Sequence, residues 1–276
     1  MTKISIWGYQ MPCEWLSDSE LDYLKLLPQD LPSMDWVCGE LDRVWYEQKL
    51  DNRQSLLHQN IGAYYGHPVW LMNGLFSVCD PTSYSHREAI AAYIKSTGCK
   101  KIADYGGGFG QLAISIAQVI PDGDICIVEP YPSKVGIERL RGVSQVKIIP
   151  KLSADGYEAI VAQDVLEHVE DPIKLAYEIA SSVRIGGKVI FANCFYPVIQ
   201  CHLPKNFYLR HTFPLAMKAL GLRYVGSVEG AEHAQVFERV CDVSISKAKV
   251  AGGLLKFVGN EINKIRWLLS IVREKL

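Results

Sequence analysis

The chain has 276 residues, 49% of them hydrophobic and 21% charged, and a net charge of −1. That balance excludes a disordered protein, which lacks apolar residues, and a dedicated nucleic-acid binder, which needs a cationic surface. Eight cysteines contain no C-x-x-C pair, and several stand in apolar runs such as Asp124-Ile-Cys-Ile-Val128. Reduced thiols and a cytoplasmic location are expected, not a disulfide framework. The first residues lack the apolar region of a signal peptide, and no uncharged stretch is long enough to span a bilayer.

Residues 1–82 read as a helical extension or cap, carrying Trp7, Trp15, Trp36, Trp45 and Trp70. Ser17, with Glu20 three residues on, has the spacing of a capping box and predicts a helix starting near residue 18. Pro28 and Pro32 break the pattern, and 34–59 is predicted as one longer helix. No alternating strand pattern is read before residue 83.

From 83 to 243 the rhythm is that of an α/β domain. Helices are predicted over 85–97, 109–120, 133–141, 172–183 and 212–220. Strands are predicted over 101–105, 125–129, 146–149, 159–164 and 187–193. Short buried strands alternating with amphipathic helices imply a parallel sheet. Segments 222–228 and 235–240 lie too close together for an intervening helix, so they predict an antiparallel pair at the sheet edge. The fold class is α/β: a Rossmann-like, seven-stranded, mostly parallel sheet with a terminal antiparallel hairpin. Residues 244–276 form a predicted C-terminal amphipathic helix, in which seven Lys and Arg from Lys247 to Lys275 face two glutamates, Glu261 and Glu274. Such a helix suits an anionic membrane surface or a partner. Packing on its own domain or in a homodimer is the preferred reading.

The glycine cluster Gly106-Gly-Gly-Phe-Gly110 follows a predicted strand and opens a helix, so a ligand can approach the backbone closely. A dinucleotide site needs G-x-G-x-x-G, whereas Gln111 occupies the last of those positions here. Asp104, two residues before the first glycine, is poorly placed for pyrophosphate and suits a cationic amine. Glu129 ends the second strand, where a carboxylate can accept both ribose hydroxyls; Pro130 and Tyr131 beside it suit an adenine face.

At these residues the sequence resembles the class I S-adenosylmethionine-dependent methyltransferases. Their first motif, D/E-x-G-x-G-x-G, is matched by Asp104, Gly106, Gly108 and Gly110. Tyr157-Glu-Ala-Ile-Val-Ala-Gln-Asp-Val-Leu-Glu-His-Val-Glu-Asp-Pro172 is similar to the family's DVLEHV segment, and Val183-Arg-Ile-Gly-Gly-Lys-Val-Ile190 to its glycine turn before the fifth strand. The resemblance implies S-adenosylmethionine as methyl donor and S-adenosylhomocysteine as product. It places the cofactor against Asp104, Tyr105, Gly106, Gly107, Gly108, Gly110, Glu129, Pro130, Tyr131, Gln163, Asp164 and Val165. No acidic residue for the adenine amine aligns within 150–156.

Methyl transfer to a hydroxyl requires alignment and a base. Asp164, Glu167, His168, His202, His211 and His233 are the candidates. His202, in a loop at a strand's carboxyl end, is the first choice, with His168 and Asp164 beside it. The segment Asp164-Val-Leu-Glu-His168 is also similar to the E-x-x-E-H divalent-metal site of some O-methyltransferases; the preferred reading assigns no metal and gives these residues to the cofactor pocket. Arg87 is read as a solvated helix charge, or as a contact for the cofactor's carboxylate. The expected acceptor is a small-molecule or saccharide hydroxyl of the kind met in polysaccharide biosynthesis. The alternatives are a silent cofactor-binding scaffold and an aminopropyltransferase.

Overall fold

The computed structural model describes residues 2–153 and 156–274, with side chains up to Leu269. Ala154 and Asp155, inside the stretch where no adenine contact aligns, lie outside the described residues, as do Lys275 and Leu276 of the tail.

The N-terminal segment opens with a hairpin of β1 (Lys3–Ile6) and β2 (Tyr9–Pro12), which corrects the all-helical expectation. Its two-residue turn, Trp7-Gly8, has φ of 51° and 85°, and the primed turns that join tight hairpins need positive φ at both positions. Helix α1 (Asp18–Lys25) starts with the expected capping box, Ser17 and Glu20 bonding each other's backbone N–H. Helix α2 (Met34–Glu47) is capped by Ser33 and ends twelve residues before the expected stop. Lys49 takes φ of 55°, and Asp51 accepts the Arg53 N–H and the Gln54 amide, so local side-chain bonds replace helix there. Helices α3 (Ile61–Tyr65) and α4 (Val69–Cys79) follow.

Helix α5 (Pro81–Ser96) begins earlier than predicted, because Asp80 caps it and Pro81 fills its first turn. The sheet is then laid down by β3 (Lys101–Tyr105), α6 (Gln111–Val119), β4 (Asp124–Val128), α7 (Lys134–Leu140), β5 (Val146–Ile149), β6 (Tyr157–Gln163), α8 (Pro172–Ser182) and β7 (Val183–Ala192). Helix α9 (Leu209–Leu220), β8 (Leu222–Val228), β9 (Ala231–Arg239) and α10 (Ile245–Glu274) complete the chain. Strand order is β5-β4-β3-β6-β7-β9-β8. β5 to β7 pair in parallel, while β9 runs antiparallel to both β7 and β8.

Alternation along the strands sends neighbours into opposite cores. Ala103, Cys126, Ile160, Val189 and Phe191 join Ile179, Phe213 and Met217 on one face. Ile102, Ile125, Ile127, Val161 and Ile190 join Ile90, Ile94 and Ile116 on the other. Two further cores belong mostly to the N-terminal segment, and both reach the sheet domain. Val37, Trp45, Tyr64 and Met72 pack with Cys201 and Leu203; Met11, Leu71 and Leu75 pack with Val135 and Phe109. Helix α10 buries Ala248 and Leu255 and lies along α9, where Asn263 donates to the Phe207 carbonyl. Among the described residues no helix is long and apolar enough to cross a membrane.

Candidate active site

Strand order reverses between β3 and β6, and in open α/β sheets ligands gather beyond the carboxyl ends of strands at such a point. The loop after β3 takes φ of 71° at Gly106, 50° at Gly108 and 75° at Gly110, a region that costs a side-chain-bearing residue about 1–2 kcal/mol. Space is as restrictive as torsion. A Cβ on Gly106 would lie 2.8 Å from Val165 Cγ2, one on Gly110 2.9 Å from Ile127 Cδ1, and one on Gly107 would collide with the Asp104 carboxylate. The loop is therefore bare backbone, with Gly106 and Gly108 open to solvent.

Asp104 is buried beneath this loop and accepts the Ala113 N–H of α6. Its Oδ2 has no partner among the described residues. Burial, helped by the negative charge of Glu129, pushes its carboxyl up to about 7. A bare glycine cradle over an unpartnered buried carboxylate suits a cationic ligand. Glu129 stands half-buried at the tip of β4, and its Oε1 accepts the Tyr131 N–H at 3.2 Å. Pro130 is exposed and Tyr131 is 90% exposed, so the aromatic face expected for adenine points to solvent. Tyr105, Gln163 and Val165 are half-buried around the loop, and Gln163 Nε2 donates to Asp164 Oδ2 at 3.3 Å. Asp164 itself takes φ of 52° while its N–H reaches the Ala192 carbonyl at 2.8 Å. Its carboxylate is solvent-accessible yet enclosed by protein, the position of a group lining a cleft.

The turn after β6 and the loop after β7 bring a second set of groups together. Glu167 is fully buried; its Oε1 accepts the Cys194 N–H at 2.7 Å, while Oε2 has no partner among the described residues. His168 and His202 stack edge to face with centroids 4.8 Å apart. His168 Nδ1 lies 3.2 Å from the Cys201 carbonyl and His202 Nδ1 2.7 Å from the Tyr196 carbonyl. A carbonyl only accepts, so both Nδ1 atoms carry the proton and Nε2 is the unprotonated nitrogen of each ring. Burial pushes the Glu167 carboxyl up to about 8, with Asp164's charge adding to it. Burial likewise pushes His168 down to about 3 and lowers His202. The loops are tied by the Leu203 N–H to the Glu167 carbonyl at 3.0 Å and by the Asn206 amide to the Val169 carbonyl at 2.9 Å.

The N-terminal segment closes this side. Trp70 meets the His168 ring at 6.5 Å and Tyr65 at 5.0 Å, and its buried Nε1–H has no partner among the described residues. Glu170 accepts the Leu56 N–H at 2.6 Å, and Asn52 donates to the Gln200 carbonyl. Tyr65 and Trp70 were not singled out as site residues, since only the folded cap carries them to the histidines. The other candidates lie elsewhere: His211 is on α9 near Arg210 and Arg266, and His233 stacks on His86. Arg87 is buried and donates to the Ser77 carbonyl and hydroxyl, which corrects its reading as a solvated charge. Two cavities of about 370 and 330 Å³ open away from the glycine loop, one beside Lys101, Lys147 and Tyr157, the other beside Trp45 and Asn52.

The model of the methyltransferase-domain family matches residues 85–239, more than half of the chain. The chain belongs to that family. Its methyl donor is S-adenosylmethionine and its product S-adenosylhomocysteine, in keeping with the cradle over Asp104. No curated protein matches the sequence. Among solved structures, this methyltransferase is similar to an O-methyltransferase family protein from Burkholderia thailandensis. The two share 11% identity over 78% of this chain and 75% of the other, with a TM-score of 0.53. It is also similar to the carbon methyltransferase CurJ, at 8% identity over 62% and 58% of the two chains and a TM-score of 0.50. The mitomycin 7-O-methyltransferase MmcR aligns at 17% identity over 75% and 67%, with a TM-score of 0.49. The first two likenesses establish the fold and leave the acceptor open.

Proposed function

We propose that this methyltransferase alkylates a hydroxyl oxygen of a small molecule, a saccharide included, held between the sheet and the N-terminal cap. The observation that carries the reading is the His168–His202 pair. Both rings are held neutral by burial, with Nε2 unprotonated in each, beside the segment that touches the glycine loop. A hydroxyl is a weak nucleophile until its proton is withdrawn, whereas an amine needs no such group. Tyr65 and Trp70 offer an apolar wall with one unpartnered N–H donor, a combination suited to a ring bearing oxygen substituents.

Bound S-adenosylmethionine supplies an electrophilic methyl group on a sulfonium. The chain's own residues do the rest. Gly106, Gly107, Gly108 and Gly110 let the donor approach the backbone, with Tyr105, Gln163 and Val165 closing the sides. Asp104 holds the loop to α6 and places negative charge beneath a cation. Glu129 is assigned to the ribose hydroxyls, with Pro130 and Tyr131 at the adenine end. His168 and His202 activate the acceptor hydroxyl, and Asp164, the carboxylate open to the cleft, passes its proton to solvent. Residues 1–82 act as the acceptor cap.

Incubation with methyl-labelled S-adenosylmethionine and panels of phenols, sugars, amines and thiols tests the reading. Label is expected in the hydroxyl panels; transfer confined to amines or thiols would sink it.

A further inference from the structure

We propose that Glu167, His168 and His202 bind one divalent metal ion on the acceptor side of the cleft. Only the catalytic use of that ion rests on the hydroxyl reading; the binding does not. A carboxylate oxygen of Glu167 and one ring nitrogen from each histidine all lie within 4.8 Å of one another. Zinc-like ions take nitrogen and carboxylate oxygen at about 2.0–2.2 Å, so in a tetrahedral array the ligand atoms stand about 3.3–3.6 Å apart. Side-chain closure of about 1 Å at the widest pair completes the site.

Each ligand is oriented from behind. The Cys201 and Tyr196 carbonyls take the Nδ1–H of His168 and His202 and leave Nε2 to bind, the arrangement by which protein carbonyls fix metal-ligating imidazoles. The Cys194 N–H takes one oxygen of Glu167 and leaves the other buried without a partner among the described residues. A buried carboxylate oxygen beside two unprotonated nitrogens is costly unless a proton or cation stands between them. His202 is the residue that the D-V-L-E-H pattern alone does not supply; it arrives from the loop after β7, which the Leu203 N–H ties to Glu167.

Two imidazoles and one carboxylate select zinc, manganese, iron(II) or cobalt over magnesium and calcium. Three protein ligands leave positions open, as catalytic sites require. With the ion bound, the two imidazoles activate the acceptor through it and not as free bases: a hydroxyl taking an open position loses its proton more readily, and Asp164 is the exposed carboxylate that receives it.

The test uses the full chain, stripped by chelation and titrated with Zn²⁺ by calorimetry and with Co²⁺ by visible absorption. One ion per chain is expected, with cobalt d–d bands. His202→Ala and His168→Ala should each weaken binding at least about 100-fold, while His211→Ala leaves it unchanged. No stoichiometric ion, or an ion whose affinity survives His202→Ala (an adventitious ion only), overturns the site. Glu167→Gln, which removes the anionic ligand, should weaken binding likewise; if it does not fold, the cobalt spectrum of the unaltered chain decides. S-adenosylhomocysteine binding measured on the same samples reads the donor site separately, so failure of the metal site and failure of the methyltransferase reading remain distinct.

Discussion

Gly106 and Val165 stand against each other across the point where the sheet reverses: a Cβ on the glycine would come within 2.8 Å of the valine Cγ2. The glycine loop after β3 and the segment after β6 are thus in direct contact, and small movements of one reach the other. Gly106→Ala adds this clash to a φ of 71°, which an alanine tolerates at a cost of about 1–2 kcal/mol. S-adenosylhomocysteine affinity, measured by calorimetry, should fall at least about 10-fold, the equivalent of roughly 1.4 kcal/mol. Adding Val165→Ala relieves the clash but not the torsion, so a partial recovery is expected. Full recovery would show that torsion contributes nothing.

Asp104 makes the cofactor-free protein pH-sensitive. Its folded-state carboxyl is raised from 3.8 to about 7 by burial, so the folded chain holds a proton that the unfolded chain releases. The stabilisation is complete below pH 3.8 and is lost as pH rises through 7, by up to about 4 kcal/mol. Asp104→Asn should flatten that slope in thermal melts between pH 4 and 7. A cationic donor above the carboxylate favours its charged form, so binding should also release protons in this window. Titration in two buffers of different ionisation enthalpy measures that release, and equal observed heats in the two buffers would exclude it.

Much of the architecture is written locally. Ser17, Ser33, Ser133 and Asp171 cap their helices with their own side chains, and the strands carry the alternation that fills both cores. The first hairpin escaped because Trp7 is an unusual residue to open a primed turn, and its strands are only four residues each. The glycine loop after β3 was legible because spacing and torsion fall within one short segment. The other side of the candidate site was legible only in part: Glu167, His168 and His202 stand out in the sequence as chemistry-bearing residues, but their meeting with Tyr65 and Trp70 depends on packing and on bonds such as Leu203 N–H to the Glu167 carbonyl, and periodicity does not report non-local contacts.

Coupling between the cap and the donor loop is testable from outside both. Gly74 on α4 faces Phe109 of the loop so closely that a Cβ would lie 2.8 Å from Phe109 Cε2. Gly74→Leu should push Phe109 aside and weaken S-adenosylhomocysteine binding about 10-fold, with the far-ultraviolet circular dichroism unchanged. An overpacked contact of this kind costs roughly 1–3 kcal/mol. Phe109→Ala in the same chain makes room for the leucine and should restore much of the loss. An undiminished affinity in Gly74→Leu would mean that the cap moves independently of the loop.

The three C-terminal histidines separate cleanly in their expected kinetics. His202 is 5% exposed, and one of its ring nitrogens lies within 4.8 Å of a ring nitrogen of His168 and a carboxylate oxygen of Glu167, whereas His211 lies on α9 and His233 stacks on His86. Once an acceptor is identified, His202→Ala should lower kcat by about 10²–10⁴, the range a positioned proton-transfer group contributes. His211→Ala and His233→Ala should stay within a few-fold of the unaltered enzyme. S-adenosylhomocysteine affinity is expected to hold in all three, because none of them touches the glycine loop. A His202 variant that loses donor affinity in proportion to kcat would place the residue in the cofactor pocket instead. One that retains full turnover would move hydroxyl activation to His168 and Asp164.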